Sequence, residues 1–456
     1  MIPVTRHTGR RWVAFATLLA TSCVQVEPRP DFQEARDLVE ESTGRQEVFD
    51  PEAPPISSEE IDAVLADGLT LDEALRLALV NNRELQAEFQ EIGVAHADWV
   101  QSRLLSNPSL DVLLRFPIDG GASTLEAFLG VELLEIWRVP VREEAARRDL
   151  ESTVLRIARR AGERLADAQK AYYEAVAADE LYGVAQENVE LAHRSFEAVE
   201  DLHEAGAADA FDENLAQGPL LAAQLALRTA RIEMANAKRD LGRLLSIDGP
   251  VESLALTDRL PEPVSTELDP ETLVQEALIS RLDLRALSTA IDALDARVRL
   301  ERRRAWGDLS AGPVFESQGS PAGDDVVGPG IGLTLPIFDQ NQAQVARAEF
   351  RLQQMVKLRE AAQVAVAQDV RASADRVGTS ARNLAFYGEE LLPQAERSLD
   401  LARTSYAAGR TTLLALIETQ RQLLEARRGY VTLRLEAAMS ATDLARDVGV
   451  PLPSLP

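Results

Sequence analysis

A chain of 456 residues with a single cysteine, Cys23, can form no internal disulfide and no thiolate metal cluster. Histidine is almost as scarce: His7, His96, His193 and His203 are the only four, and none lies near Cys23. His193 and His203 share one helical stretch but stand ten residues apart, too far for one metal site, so they read as surface residues. HExxH, Walker and GxSxG motifs are missing. Acidic pairs such as Glu143-Glu144 and Glu389-Glu390 read as solvated helix faces, with no partner group suggesting an acid/base couple. Gly328-Pro329-Gly330-Ile331-Gly332 leads into Leu-Thr-Leu-Pro rather than a helix start, so it reads as strand rather than phosphate loop. Basic residues are in deficit, 48 against 74 acids for a net charge of −26, which argues against nucleic acid. Neither enzyme, cofactor nor metal is expected. Apolar runs of the ~20 residues a membrane helix needs are absent too. If the chain crosses a bilayer, it must do so with strands.

What is present begins with an export signal. Arg6, Arg10 and Arg11 precede a short apolar stretch, Trp12 to Ala20, and Ala20-Thr21-Ser22-Cys23 resembles a bacterial lipobox. Residues 1–22 are therefore read as a signal peptide and Cys23 as the acylated new N-terminus. Ala20 stands where such boxes prefer leucine, and an ordinary signal peptide is the competing reading. Residues 23–68, rich in Pro, Glu, Asp and Ser, read as a lipid-anchored extended tether.

The remainder says much the same thing twice. Ala78-Leu79-Val80 leads to Leu85-Gln86-Ala87, and 199 residues on Ala277-Leu278-Ile279 leads to Leu284-Arg285-Ala286. Ser195-Phe196 and Ser405-Tyr406 precede Gly206 and Gly409, and from each glycine to Gln217 or Gln420 is 11 positions. The repeats are placed at 69–250 and 251–456. Each reads as helix, two alternating strands, one very long helix, tight turn and return helix.

Thr70 followed by Glu73 predicts a capping-box helix start, the helix running to about Leu105 before Asn107-Pro108. Leu110, Val112, Leu114 and Phe116 then alternate with Asp111, Leu113 and Arg115 over Ser109 to Pro117, long enough for a tilted membrane strand. Leu125, Ala127, Leu129, Val131 and Leu133 line a second strand. Leu309, Ala311, Pro313 and Phe315, then Ile331, Leu333 and Leu335, line a third and fourth. Four strands cannot close a barrel, so copies would have to share one. Helical residues run from about Val141 to Ala205 and from Gln342 to Ala408, with Pro393 expected to kink the second. Gly206 and Gly409 should end these helices in the left-handed conformation, with Asp209 and Thr411 or Thr412 capping the return helices.

These residues together resemble the TolC-like outer-membrane efflux proteins over residues 60–450. The stretches that carry the resemblance are Leu69-Thr70-Leu71-Asp72-Glu73-Ala74-Leu75, Asn107-Pro108-Ser109-Leu110, Gly332 to Gln342 and Leu391-Leu392-Pro393-Gln394-Ala395, with Tyr406-Ala407-Ala408-Gly409. The resemblance implies a mainly α chain: an internally duplicated long-helix α-barrel with four strands contributing to a shared trimeric β-barrel of twelve strands. It also implies an outer-membrane homotrimer, most of its helical mass periplasmic, docked to a periplasmic adaptor and an inner-membrane transporter. The tip glycines Gly206 and Gly409 become the adaptor-docking turns, and Asp339 or Asn341 a cap at the strand-to-helix junction. The family's constricting acids fall six and nine positions past the second tip glycine, here Ala415 and Glu418, so one acid is missing. Asp209, Asp212 and Glu213 of the first copy are candidates to complete the gate. Val131 to Trp137 lacks the Leu-Pro-Ile-Phe-Asp wording of the second copy, and Gly218-Pro219 is expected to interrupt the first return helix. The competing reading is a periplasmic helical scaffold or adhesion rod whose hairpins are small soluble sheets.

Overall fold

The computed structural model describes residues 25–120, 122–206, 208–263, 269–319 and 325–451; the signal segment and Cys23 lie outside them. The segment expected to be an extended tether is largely helical. It contains helix α1 (Arg29–Thr43) and helix α2 (Ser58–Ala66). Phe32 and Ala35, with Leu38 and Val39 three and four residues beyond Ala35, are buried along α1. That spacing makes an apolar stripe which the surrounding Pro and acids obscure.

Thr70 and Glu73 form the expected reciprocal capping box at the start of α3 (Leu71–Val80). The helix does not run on to Leu105: it breaks before α4 (Arg83–Arg103). At the break the Asn81 amide donates to the carbonyls of Leu245 and Ser246 at 2.8 and 3.1 Å, and Asn82 to that of Leu244 at 2.6 Å. Two asparagines thereby satisfy carbonyls left without partners at a helix C-terminus.

Strand β1 (Ser109–Arg115) pairs with β2 (Thr124–Glu132), and α5 (Glu135–Glu204) follows, 70 residues with Pro140 in its second turn. The return helix α6 (Ala210–Leu244) continues through Gly218-Pro219 without a break. Proline costs one hydrogen bond there, but packing on both sides, through Ala216, Leu220 and Ala223, holds the helix.

The second repeat supplies α7 (Pro270–Ser280), α8 (Leu282–Arg304), β3 (Leu309–Gln318), β4 (Val326–Leu333) and α9 (Gln342–Phe386). The expected kink before Pro393 takes the form of a π-helical turn, Tyr387–Leu391, leading into α10 (Leu392–Ala407), and α11 (Leu413–Val448) returns. A widened turn is where a helix absorbs an extra residue. Neither Asp339 nor Asn341 caps α9 with its side chain. Asn341 takes φ +58 and sends its amide to the Glu301 carbonyl at 2.8 Å, while Asp339 accepts from the Asn341 N–H at 2.9 Å.

The chain divides into two compact units. One combines residues up to Gln33 with Glu91–Thr153 and Ser288–Val356 and holds the sheet; the other combines Glu34–Gln90, Val154–Leu287 and Lys357 onward and holds both helical turns. In the second, Leu273, Val274 and Ala277 of α7 pack with Val366, Val370, Ala374 and Val377 of α9 and Leu444 and Val448 of α11. Among the described residues no helix is long and apolar enough to cross a membrane.

Candidate functional site: a two-faced sheet and two helical turns

The four strands make one antiparallel sheet in the order β1-β2-β3-β4. The register gives the sheet one face that is apolar except for Ser317, opposite Leu125, and one that is mixed. Leu110 opposes Leu129, Val112 opposes Ala127 and Leu114 opposes Leu125. Ala127 opposes Phe315 and Val131 opposes Ala311, while Leu309, Ala311, Pro313 and Phe315 oppose Leu333, Ile331, Pro329 and Val327. Every residue in that set is apolar. The other face carries Asp111, Arg115, Thr124, Glu126, Ser310 and Glu316, with Gly328, Gly330 and Gly332, and among them the apolar Leu113, Phe128, Val314 and Val326. There Arg115 bridges to Glu126 at 2.9 Å, offsetting the direct opposition of Glu126 and Glu316.

The apolar face is not a core. Leu110 is 67% exposed, Phe116 74% and Ile331 75%. Large exposed residues, Trp137, Trp306, Ile337 and Phe338, cluster in sequence at the strand ends where β2 and β4 finish and β3 begins. Arg303 stacks on Trp137, 4.9 Å from the ring centre. An apolar band bordered by aromatic residues is the outer surface of a membrane barrel. β1 and β4 also leave open hydrogen-bonding edges, which hydrocarbon does not tolerate and which copies of the sheet can close. Gly312 lies where any Cβ would strike the Leu129 carbonyl, so this close approach of β2 and β3 requires glycine.

In the other unit both helical turns are built as the sequence suggests. Gly206 (φ +70) and Gly409 (φ +67) adopt the left-handed conformation. Asp209 caps α6 by accepting from the Asp212 N–H at 2.9 Å, and Thr412, not Thr411, caps α11 by accepting from the Ala415 N–H at 3.4 Å. Val199, Ala216 and Leu413 pack together beneath the turns, with Phe196, Leu215, Tyr406 and Ile417 against them. The Tyr406 hydroxyl is pushed above its ordinary pKa by burial and then by the charge of Asp212.

The candidate acids are held separately within one chain. Glu213 lies 3.6 Å from His203, whose Nδ1 is 3.0 Å from the Ala208 carbonyl. Glu418, on the exposed flank of α11, accepts from Arg421 at 2.7 and 3.0 Å and from Gln422 at 3.2 Å. Arg421 first, then Gln422, holds the Glu418 carboxyl below its usual range. Mutual repulsion between acids would act the other way. The sequence already signals this pair through the three-residue spacing of Glu418 and Arg421. The link from Gln420 to the Ser195 hydroxyl, at 2.5 Å, joins residues 225 apart and leaves no local signature.

A membrane-facing sheet of two open-edged hairpins, duplicated with long helical hairpins, is the build of an outer-membrane channel. The pattern of the outer membrane efflux protein family matches residues 74–246 and 273–450, and the chain belongs to that family. It is 25% identical over 389 residues to the cobalt-zinc-cadmium resistance protein CzcC of Cupriavidus metallidurans, covering 84% of this chain and 91% of the relative. It is 27% identical over 408 residues to the pyoverdine export outer membrane protein OpmQ of Pseudomonas aeruginosa, covering 83% and 85%. Among solved structures, CusC superposes with a TM-score of 0.70 at 19% identity over 83% of this chain and 92% of that one. The open-state MtrE outer membrane channel of Neisseria gonorrhoeae gives 0.68 at 19% over 84% and 89%.

Proposed function

We propose that this chain is the exit duct of a tripartite efflux pump: an outer-membrane homotrimer passing cargo received through a periplasmic adaptor from an inner-membrane transporter. The observation that carries the reading is the sheet, apolar and exposed on one face and open at both edges. A soluble scaffold or rod has no use for such a face, since water would penalise it by about 25 cal/mol per Å². Conduction is passive, the energy coming from the inner-membrane partner. Cys23 carries the lipid anchor, which adds to the hold of the strands on the membrane. The turns at Gly206 and Gly409 meet the adaptor, and the repeats at 69–250 and 251–456 each give one hairpin of strands and one of helices. Glu418, with Asp209, Asp212 and Glu213, lines the periplasmic mouth when copies converge, its charge favouring cations.

Fractionation of Cys23→Ser tests this reading: the variant should still require detergent for extraction from outer membranes, and release by salt or high pH would overturn it. Single-channel recordings of Glu418→Gln and Asp212→Asn test the gate. Reduced cation selectivity is the expected result, and unchanged selectivity in both leaves these acids as helix-end residues only.

A further inference from the structure

Helix α8 ends in three consecutive arginines, Arg302, Arg303 and Arg304, just before β3 begins. In a chain of net charge −26 an arginine readily finds a carboxylate. Arg302 pairs with Glu349 and Arg304 with Glu301, both at 2.7 Å. Arg303 is the exception. Its partners among the described residues are the carbonyl and the ring of Trp137, and no carboxylate there pairs with it. Glu144, which feels its charge, is already taken by Arg299 at 2.8 and 3.0 Å. That carboxyl is held below its usual range by Arg299 first and by Arg303 least.

The first repeat builds the same kind of stack and neutralises it. Arg103 ends α4 just before β1, 200 residues ahead of Arg303, and lies over Trp99 at the same 4.9 Å. Glu143 then pairs with Arg103 at 3.3 Å. Both arginines complement a helix C-terminus, so that role does not separate them; the missing anion does. The surroundings say where an anion would come from. Trp137 is 43% exposed and follows the exposed Leu133 and Ile136, and Phe338, just beyond β4, is 92% exposed. Half-buried Arg303 therefore stands where the apolar band of the sheet gives way to water. With the long helices in the periplasm, this end of the sheet lies in the periplasm-facing leaflet, whose lipids are phospholipids.

We propose that Arg303 and Trp137 form a binding site for the phosphate of an anionic phospholipid in that leaflet. Arg303 Nη1 is tied to the Trp137 carbonyl, and the indole ring sets the plane of the guanidinium. The Nε–Nη2 edge is left for two parallel bonds to phosphate oxygens, the geometry that suits arginine best. An uncompensated cation at the border of hydrocarbon is costly, and the lipid phosphate removes that cost. The site is complete within one chain. It requires the sheet to lie in the membrane but not that copies close into a conducting pore.

Native mass spectrometry of the full-length, detergent-extracted protein tests it, with phosphatidylglycerol, phosphatidylcholine or inorganic phosphate added. The native chain should retain phosphatidylglycerol in preference to phosphatidylcholine, and Arg303→Gln should weaken that retention about tenfold. Arg302→Gln and Arg103→Gln remove arginines already paired with acids and should leave it within about twofold. Equal losses from all three variants would mean a diffuse attraction between charges and overturn the site. A native chain without preference for phosphatidylglycerol overturns it too, whatever the variants do. Displacement of the lipid by equimolar inorganic phosphate would make this a free-phosphate site and overturn the lipid assignment. A chain that shows the expected preference and its loss in Arg303→Gln, yet conducts nothing in planar bilayers, upholds this site and contradicts the exit duct.

Discussion

The sheet and the helical turns are built from the same apolar residues used in opposite senses. Across the strands Leu110, Val112, Ile331 and Leu333 point to the surroundings, and the polar groups share the other face. Around the turns Val199, Leu413, Leu416 and Leu423 point inward, and the surroundings meet Glu418, Arg421 and Glu425. Each region is stable only in its own solvent. The sheet needs hydrocarbon on one side, and the turns need water to solvate their acids.

The largest effect should come from reversing that choice on the sheet. Val112→Arg puts a charge on the apolar face and should cost about 2–4 kcal/mol at mid-bilayer, abolishing detergent-resistant oligomers on unheated gels. Leu113→Arg, one residue away on the other face, should leave them intact. Equal tolerance of both would break the contrast. At the turns, Gly409→Ala should cost about 1–2 kcal/mol, from forcing an L-residue into the left-handed region. Nothing lies within 4 Å of the added Cβ, so the penalty is backbone only. Asp209→Ala should remove a helix cap and cost about 1 kcal/mol. Thermal melts of the detergent-extracted protein measure both. The smallest effect concerns Glu418. Its lowered pKa keeps it charged at pH values where an ordinary carboxyl has begun to protonate, and the small, solvent-screened stability it contributes is lost only as pH falls through that lowered value. Arg421→Ala should therefore move the pH at which cation selectivity fades upward, read from reversal potentials across a pH series.

Much of this architecture was legible because it depends on local chemistry. Period-two alternation marked all four strands, and Gly206, Gly409, Asp209, Thr412 and the Thr70–Glu73 box marked where helices begin and end. What was not legible depends on partners distant in the chain. Asn81 and Asn82 break a helix because the carbonyls of Leu244, Leu245 and Ser246 arrive there from over 160 residues away. Asn341 abandons its capping position for Glu301, 40 residues back. Pro219 looks like a breaker until Leu220 and Ala223 are seen packed on Ala192. The hidden helix α1 is a different failure, since Phe32, Ala35 and Val39 do make a helical stripe within an acidic, proline-flanked segment.

The central claim is that copies of this chain close their sheets into a conducting pore. Reconstitution of the detergent-extracted oligomer into planar bilayers, with Val112→Arg alongside, tests it most directly. Discrete, long-lived conductance steps from the native chain and none from the variant are expected. An oligomer that inserts without conducting, or a monomer that conducts alone, would contradict it.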